Sequence, residues 1–328
     1  MTQDESVDLI HFAWSIPDRG YTWDADARAE PRLGGKGEPP FLLVHPKTTR
    51  TRQYSPLPFD EPGREEAPLF QRFADIEPTQ DAILKFANEY GWLGVDEPAI
   101  SPYYPGVKAG EHIVTTGESL DRWRREIVEL REASIIWRWL DEEDEEAMAR
   151  AVRWESDGCV CVTVPRKSGR ALREREILFH KRLQEDLFRL LRRDDPSVAV
   201  RSALLRTLNK KLRGLVSPCL LLDRKGQLRG FLRPHHMLGA IWLQLYQAVT
   251  GQRRLRTCQY CAGLMDVTGS RTDKAAHHKC MRREKTYRLR RKKALAGLQE
   301  RLRKGRLTPE QRRRLRARER EIRVKLTR

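Results

Sequence analysis

Cysteine and histidine are the residues of this chain whose types and spacing could do chemistry. Cys258 and Cys261 enclose two residues, fifteen more follow, and His277 and Cys280 again enclose two. A C-x2-C turn lets two thiolates converge on one metal ion, and a second pair arriving at a helix start completes a tetrahedral Cys3His shell. The expected ion is a single structural Zn2+, because four protein ligands leave no open position for a substrate or an activated water. His278 competes with His277 for the fourth place, and the spacing to Cys280 prefers His277. Zinc also explains how a short polar segment with almost no core of its own holds a fold.

The remaining cysteines and histidines read differently. Cys159 and Cys161 stand two apart on an expected strand, so they share a face on which two thiols alone close no metal site. Cys219 heads an apolar strand, and all three are read as core residues. His235 and His236 follow Pro234 at a helix start and read as capping or surface groups. The chain carries no Gly-rich phosphate loop, no G-x-S-x-G and no metalloprotease helix.

Charge sets the cysteine cluster in context. Over 328 residues, 64 Lys and Arg stand against 46 Asp and Glu, a net charge of +18. Residues 1–252 hold 37 basic and 39 acidic residues, a net of −2. Residues 253–280 contribute +4, and residues 281–328, with 21 basic against 5 acidic, contribute +16. The basicity therefore belongs to the segment that follows the cluster. Arg282, Arg283, Lys285, Arg288, Arg290, Arg291, Lys292 and Lys293 surround a narrow stripe of Tyr287, Ala294, Leu295, Leu298 and Leu302, the pattern of a helix. Gly305 breaks it. Thr308 as N-cap, Pro309 at the first helical position and Gln311 closing a capping box restart it. Leu315, Ile322 and Leu326 line the second helix, opposite Arg312, Arg313, Arg314, Arg316, Arg318 and Arg320. Like charges at helical spacing repel, and a polyanion relieves that repulsion while counterion release supplies affinity. The expected partner is a nucleic acid, DNA ahead of RNA, because arginine forks pair with phosphate and with guanine edges. An acidic run at 141–146, Asp-Glu-Glu-Asp-Glu-Glu, is a possible intramolecular competitor for the same surface. A membrane surface is disfavoured, since the apolar stripe is narrow and lacks Trp or Phe.

The stretch from Arg254 through Cys258, Cys261 and Gly263, then His277, Cys280, Met281, Arg282 and Arg283, resembles treble-clef zinc fingers. Within that group it is most similar to the bacterial CGNR-type finger, which also lies at the C-terminal end of a longer domain behind an apolar helix. That family's second knuckle is usually C-x3-C followed by Gly-Asn-Arg. Here Ala276 holds the first of those cysteine positions and His277 substitutes one residue later. The resemblance covers about 35 residues and implies a zinc-stabilised DNA-binding element in a bacterial regulator.

The elements that must position these residues are read from periodicity. Residues 1–116 are rich in Pro, Gly, Asp and Glu and read as largely irregular, with a strand at Phe41–Val44 and a short helix capped by Thr79 and ended by Gly91. Residues 117–252 form a mostly helical body, with or without 1–116 in the same domain. Leu120, Trp123, Ile127, Leu130 and Trp137 mark a long helix, followed beyond 141–146 by a second reaching about Trp154. Cys159–Val164 alternates like a strand. Glu174–Arg193 and Val198–Leu212 show helical spacing, Cys219–Leu222 with Leu228–Leu232 a hairpin, and Leu238–Tyr246 an apolar helix. Residues 253–284 then form the finger and 285–328 the basic helical tail. The expected class is α+β, with a predominantly helical body, a small β-hairpin, a treble-clef-like finger and basic helices.

No secretory signal and no membrane-spanning stretch is visible, which places the chain in the cytoplasm, on the nucleoid if it binds DNA. The leading expectation is a non-enzymatic DNA-binding regulator whose finger aims a helix starting at Met281, with the body sensing a ligand or mediating assembly. Binding of structured RNA or the ribosome is the alternative. A metal-dependent nuclease using His277 or His278 with Asp266 or Asp273 is the weaker third.

Overall fold

A computed structural model describes residues 13–29, 40–45, 47–54, 67–95, 97–101, 113–155, 159–168, 171–180, 190–191, 194–222, 227–261, 264–267, 276–305 and 307–327. They divide into two compact units, a body reaching to Arg254 and a C-terminal unit over Leu255–Arg328. Small antiparallel sheets and helices alternate along the chain, so the fold is mixed α and β.

The N-terminal part contributes far more strand than its composition suggested. β1 (Trp14–Pro17) pairs with β5 (Thr51–Tyr54). β2 (Tyr21–Asp24), β3 (Arg28–Ala29), β4 (Phe41–Val44), β6 (Glu97–Ser101) and β7 (Ile113–Ser119) form one antiparallel sheet in the order β2-β4-β7-β6-β3. The expectation of an irregular region with one strand is thus corrected. Short strands separated by turns show no sustained periodicity, and their partners lie far away in sequence. Between the strands, α1 (Leu69–Ala74) and α2 (Gln80–Tyr90) turn their apolar faces inward. The Thr79 hydroxyl accepts from the Ala82 N–H at 3.4 Å and Gly91 ends α2 at φ 100°, as its sequence signals required. The indole of Trp14 lies so close to Gly91 and Gly94, whose φ values are 100° and 76°, that a Cβ there would meet the ring at 2.5 and 2.3 Å.

α3 (Leu120–Asp141) is the axis of the body. Ser119 caps it through the Arg122 N–H. Trp123 is fully buried and meets Phe73 of α1 and Phe86 of α2 with ring centroids 5.9 and 6.2 Å away, while Trp137 packs edge-on against Phe70. The acidic run that follows does local work. Glu142 ends α3, and the Asp144 carboxylate caps α4 (Glu145–Ala151) through the Ala147 N–H at 2.9 Å. α4 stops at Ala151, short of the expected Trp154, because Val152–Glu155 enters a sheet as β8.

β9 (Cys159–Ser168) and β10 (Ala171–His180) continue that sheet, in the order β10-β9-β8. The helix expected from Glu174 is therefore corrected over 174–180. All ten residues of β10 pair with β9 in continuous register from Ala171↔Ser168 to His180↔Cys159. Its C-terminal part at 181–189 lies outside the described residues. α5 (Ser197–Leu212), the β11–β12 hairpin (Val216–Leu222 with Leu228–Pro234) and α6 (Met237–Val249) complete the body as read. Among the described residues the body is thus mixed, its helices alternating with small antiparallel sheets.

Two sets of buried carboxylates hold this unit together. Glu118 is fully buried and accepts from the backbone N–H groups of Leu93 and Val95 at 3.0 Å each, tying β7 to the segment that follows α2. Glu126 of α3 is 3.4 Å from Arg122 and 2.6 Å from Lys211 of α5, which also pairs with Glu129. The same ammonium sits 5.5 Å above the ring of Trp242 on α6, so one cation joins three helices. Among the described residues, no helix is long and apolar enough to cross a membrane.

Candidate metal centre

In the C-terminal unit, Leu255–Thr257 (β13) and Leu264–Asp266 (β14) form a two-stranded ribbon with Thr257 opposite Leu264. The connection carries Cys258 and Cys261. The opposite side of the site comes from α7 (His278–Lys304), with His277 as its N-cap and Cys280 in its first turn. The helix thus starts three residues before Met281. The Met281 N–H bonds the His277 carbonyl at 2.9 Å, so the helix begins on the ligand pair itself.

Cys258, Cys261, His277 and Cys280 converge with their donor atoms all within 4.8 Å of one another. They can hold one metal ion. A tetrahedron with Zn–S bonds of about 2.3 Å places its sulfurs roughly 3.8 Å apart, so little movement closes the shell. The imidazole is oriented for the task. Its Nδ1 lies 3.4 Å from the Cys261 sulfur and 3.9 Å from that of Cys280, while Nε2 stands 3.2 Å from the Leu264 carbonyl. A carbonyl only accepts, so Nε2 carries the proton and Nδ1 presents its lone pair to the thiols. A protein carbonyl behind a ligating histidine is the usual second layer of a metal site.

The sulfurs are unequal. Burial opposes ionisation of Cys258, but the backbone N–H groups of Tyr260, His277 and Cys261, joined by the Cys261 thiol, outweigh it and bring the thiol down to about 6. Burial, then hydrogen bonds and charge from Cys261 and Cys258, push Cys280 up to about 11. Cys258 packs with Met265, Val267 and Ala276 in a small apolar cluster. Ala276 is fully buried there, so the place where the resembling family carries a cysteine is a packing position in this chain. His277 takes part in the cluster as its spacing indicated, and the side chain of His278 lies outside the described residues.

Among the described residues, the other thiols and imidazoles singled out above do not gather into a metal-ligating cluster. Cys161 is buried, while Cys159 and Cys219 are half-buried, so Cys219 is less deep than its apolar neighbours implied. His236 caps α6 through Nδ1 and the Gly239 N–H, and burial first, then His235 and Arg122, lower its pKa to about 4. His235 bonds the Ser217 hydroxyl. The side chain of Asp266, and all of Asp273, lie outside the described residues.

α7 carries the basic residues away from the metal cluster. Arg282, Arg283, Lys285, Arg288, Arg290, Lys292 and Lys293 are exposed and Arg291 is half-buried. Arg288 pairs with Glu284 at 2.8 Å, and the Arg291 guanidinium lies 3.7 Å over the Tyr287 ring and donates to its hydroxyl. α8 (Pro309–Thr327) packs back on α7, with Leu298 buried and Gln299 Nε2 donating to Glu319 at 3.2 Å. Its expected capping box is formed, Thr308 Oγ1 accepting from Gln311 and Gln311 Oε1 from Thr308. Arg312, Arg313 and Arg316 are exposed.

No family model, no curated protein and no solved structure matches this chain.

Proposed function

We propose that the C-terminal unit is a zinc-stabilised nucleic-acid-binding element of treble-clef type, and that the chain is a DNA-binding regulator whose body senses a ligand or mediates assembly. The observation that carries this reading is the coupling of two features. A closed Cys3His cluster forms the start of α7, and that same helix presents a row of exposed cations. Zinc is the ion of choice for three thiolates and one imidazole, because that donor set is soft and tetrahedral. Bound there, the ion fixes the pitch of α7 against the ribbon and supplies no chemistry of its own. The likeness to the CGNR-type finger belongs to this proposal and rests on the residues alone.

Structured RNA is the second target that the same arginines would suit. In the acidic run 141–146, all but Asp144 are exposed, and the run is a candidate internal competitor, to be displaced by the polyanion. The test is equilibrium binding of the full chain to labelled DNA and RNA duplexes at fixed salt, with each competing the other. Saturable binding with DNA the better competitor supports the reading. Absence of binding to any nucleic acid at low salt refutes it. Conversion of supercoiled plasmid in the presence of magnesium or manganese would replace it with a nuclease.

A further inference from the structure

We infer that the face of α7 nearest the metal cluster takes the unpaired bases of a single-stranded nucleic acid, with Tyr260 and Tyr287 as stacking rings. This rests on the nucleic-acid reading above and names the substrate form.

Cys280, Glu284, Tyr287 and Arg291 follow one another along α7 at spacings of four, three and four, so they share one face. Cys280 is the residue through which that face meets the cluster. Tyr260 lies between Cys258 and Cys261, whose sulfurs sit within 4.8 Å of the Cys280 sulfur. Tyr260 stands within electrostatic range of Arg288 on α7. Tyr287 stands two turns beyond Cys280, about 10 Å along the helix axis. Both tyrosines are exposed, Tyr260 at 45% and Tyr287 at 47%.

The charges around the rings are arranged for a strand rather than a groove. Arg283 and Arg290 are the i−4 and i+3 neighbours of Tyr287 and are exposed on its flank, where they reach phosphates. On the ring face itself the guanidiniums are engaged. Arg288 is held by Glu284, and Arg291 lies over the ring of Tyr287. A helix reading duplex edges would offer free guanidinium forks there. This one offers aromatic rings, one already backed by a guanidinium, beside a carboxylate that repels a close phosphate. Base stacking on such rings is tolerant of sequence and requires bases that are not already stacked in a duplex.

The test uses the full metal-bearing chain and four labelled probes of about 12 nucleotides, oligothymidylate, oligouridylate, a DNA duplex and an RNA duplex, at matched salt. Single strands should bind roughly tenfold tighter than duplexes of equal length. The Tyr260→Ala, Tyr287→Ala pair should lose at least about tenfold on single strands with an unchanged salt slope and unchanged duplex affinity. Tyr260→Phe with Tyr287→Phe should retain wild-type affinity, and metal content should be equal in all three proteins. The two single-stranded arms assign the sugar. Equal or tighter duplex binding overturns the inference, as does an alanine pair that weakens all four probes alike or a phenylalanine pair that fails to restore. Loss of binding to all four probes by the wild type overturns the nucleic-acid reading itself.

Discussion

If the chain binds nucleic acid as proposed, salt dependence offers a quantitative check on where the phosphates would sit. Arg283 and Arg290 are seven apart and Arg282 and Lys293 eleven apart, so these four exposed side chains lie along one side of α7. A strand tracking that side would neutralise about four phosphates, and each contributes roughly 0.7–0.9 to the slope of log K against log salt. The four together therefore account for a slope of roughly −3, or about a 50- to 150-fold loss of affinity between 50 and 200 mM salt. Replacing all four with glutamine keeps good helix formers at exposed positions and leaves the cluster untouched. Anisotropy titrations at several salt concentrations should then show the slope falling by about three. Arg288→Gln alone should change it by much less than one, because Arg288 is already spent on Glu284. A quadruple variant with the wild-type slope would refute the assignment of phosphate contacts to α7 and move them to Arg312, Arg313 and Arg316 on α8.

Two further predictions concern the body. Lys211→Met should cost about 3–5 kcal/mol in urea unfolding followed by tryptophan fluorescence, because Glu126 is left buried with only Arg122 to offset it. Adding Glu126→Gln should recover part of the loss, and a pair no more stable than the single variant would contradict the account. His236 must be neutral to cap α6, and its pKa falls from 6.5 to about 4. Its contribution is complete above pH 6.5 and is lost as pH falls towards 4, so His236→Asn, which keeps a cap acceptor, should flatten the urea midpoint in that window. Parallel pH profiles for the two proteins would count against it.

What could be read from sequence depended on how local the determinants were. The Cys/His cluster was legible because its four residues come as two i, i+3 pairs, and a knuckle and a helix start bring such pairs together by local geometry. The helix caps at Thr79 and Thr308 and the helix stops at Gly91 and Gly305 were legible for the same reason. Strand content was not. Ile177 and Leu178 suit a helix by spacing, but β9 offered ten residues of uninterrupted pairing, and that non-local gain decides the outcome. The five-stranded sheet escaped for a related reason, since β7 pairs not only with nearby β6 but also with the distant β4, Phe41 standing opposite Ser119. Glu118 carried no local signal at all. Glu126 did carry one, a charge three residues after Trp123 on the apolar stripe of α3, which a search for buried ion pairs would have caught.

The central claim is that a metal held by four named residues organises the nucleic-acid surface. Its most direct test is elemental analysis of the purified chain and of Cys258→Ser, with nucleic-acid affinity measured on the same samples. The account predicts one zinc per wild-type chain, and loss of zinc together with binding in the variant. A wild-type protein that binds no zinc under metal-replete conditions, or a variant that loses zinc and binds as before, would contradict it.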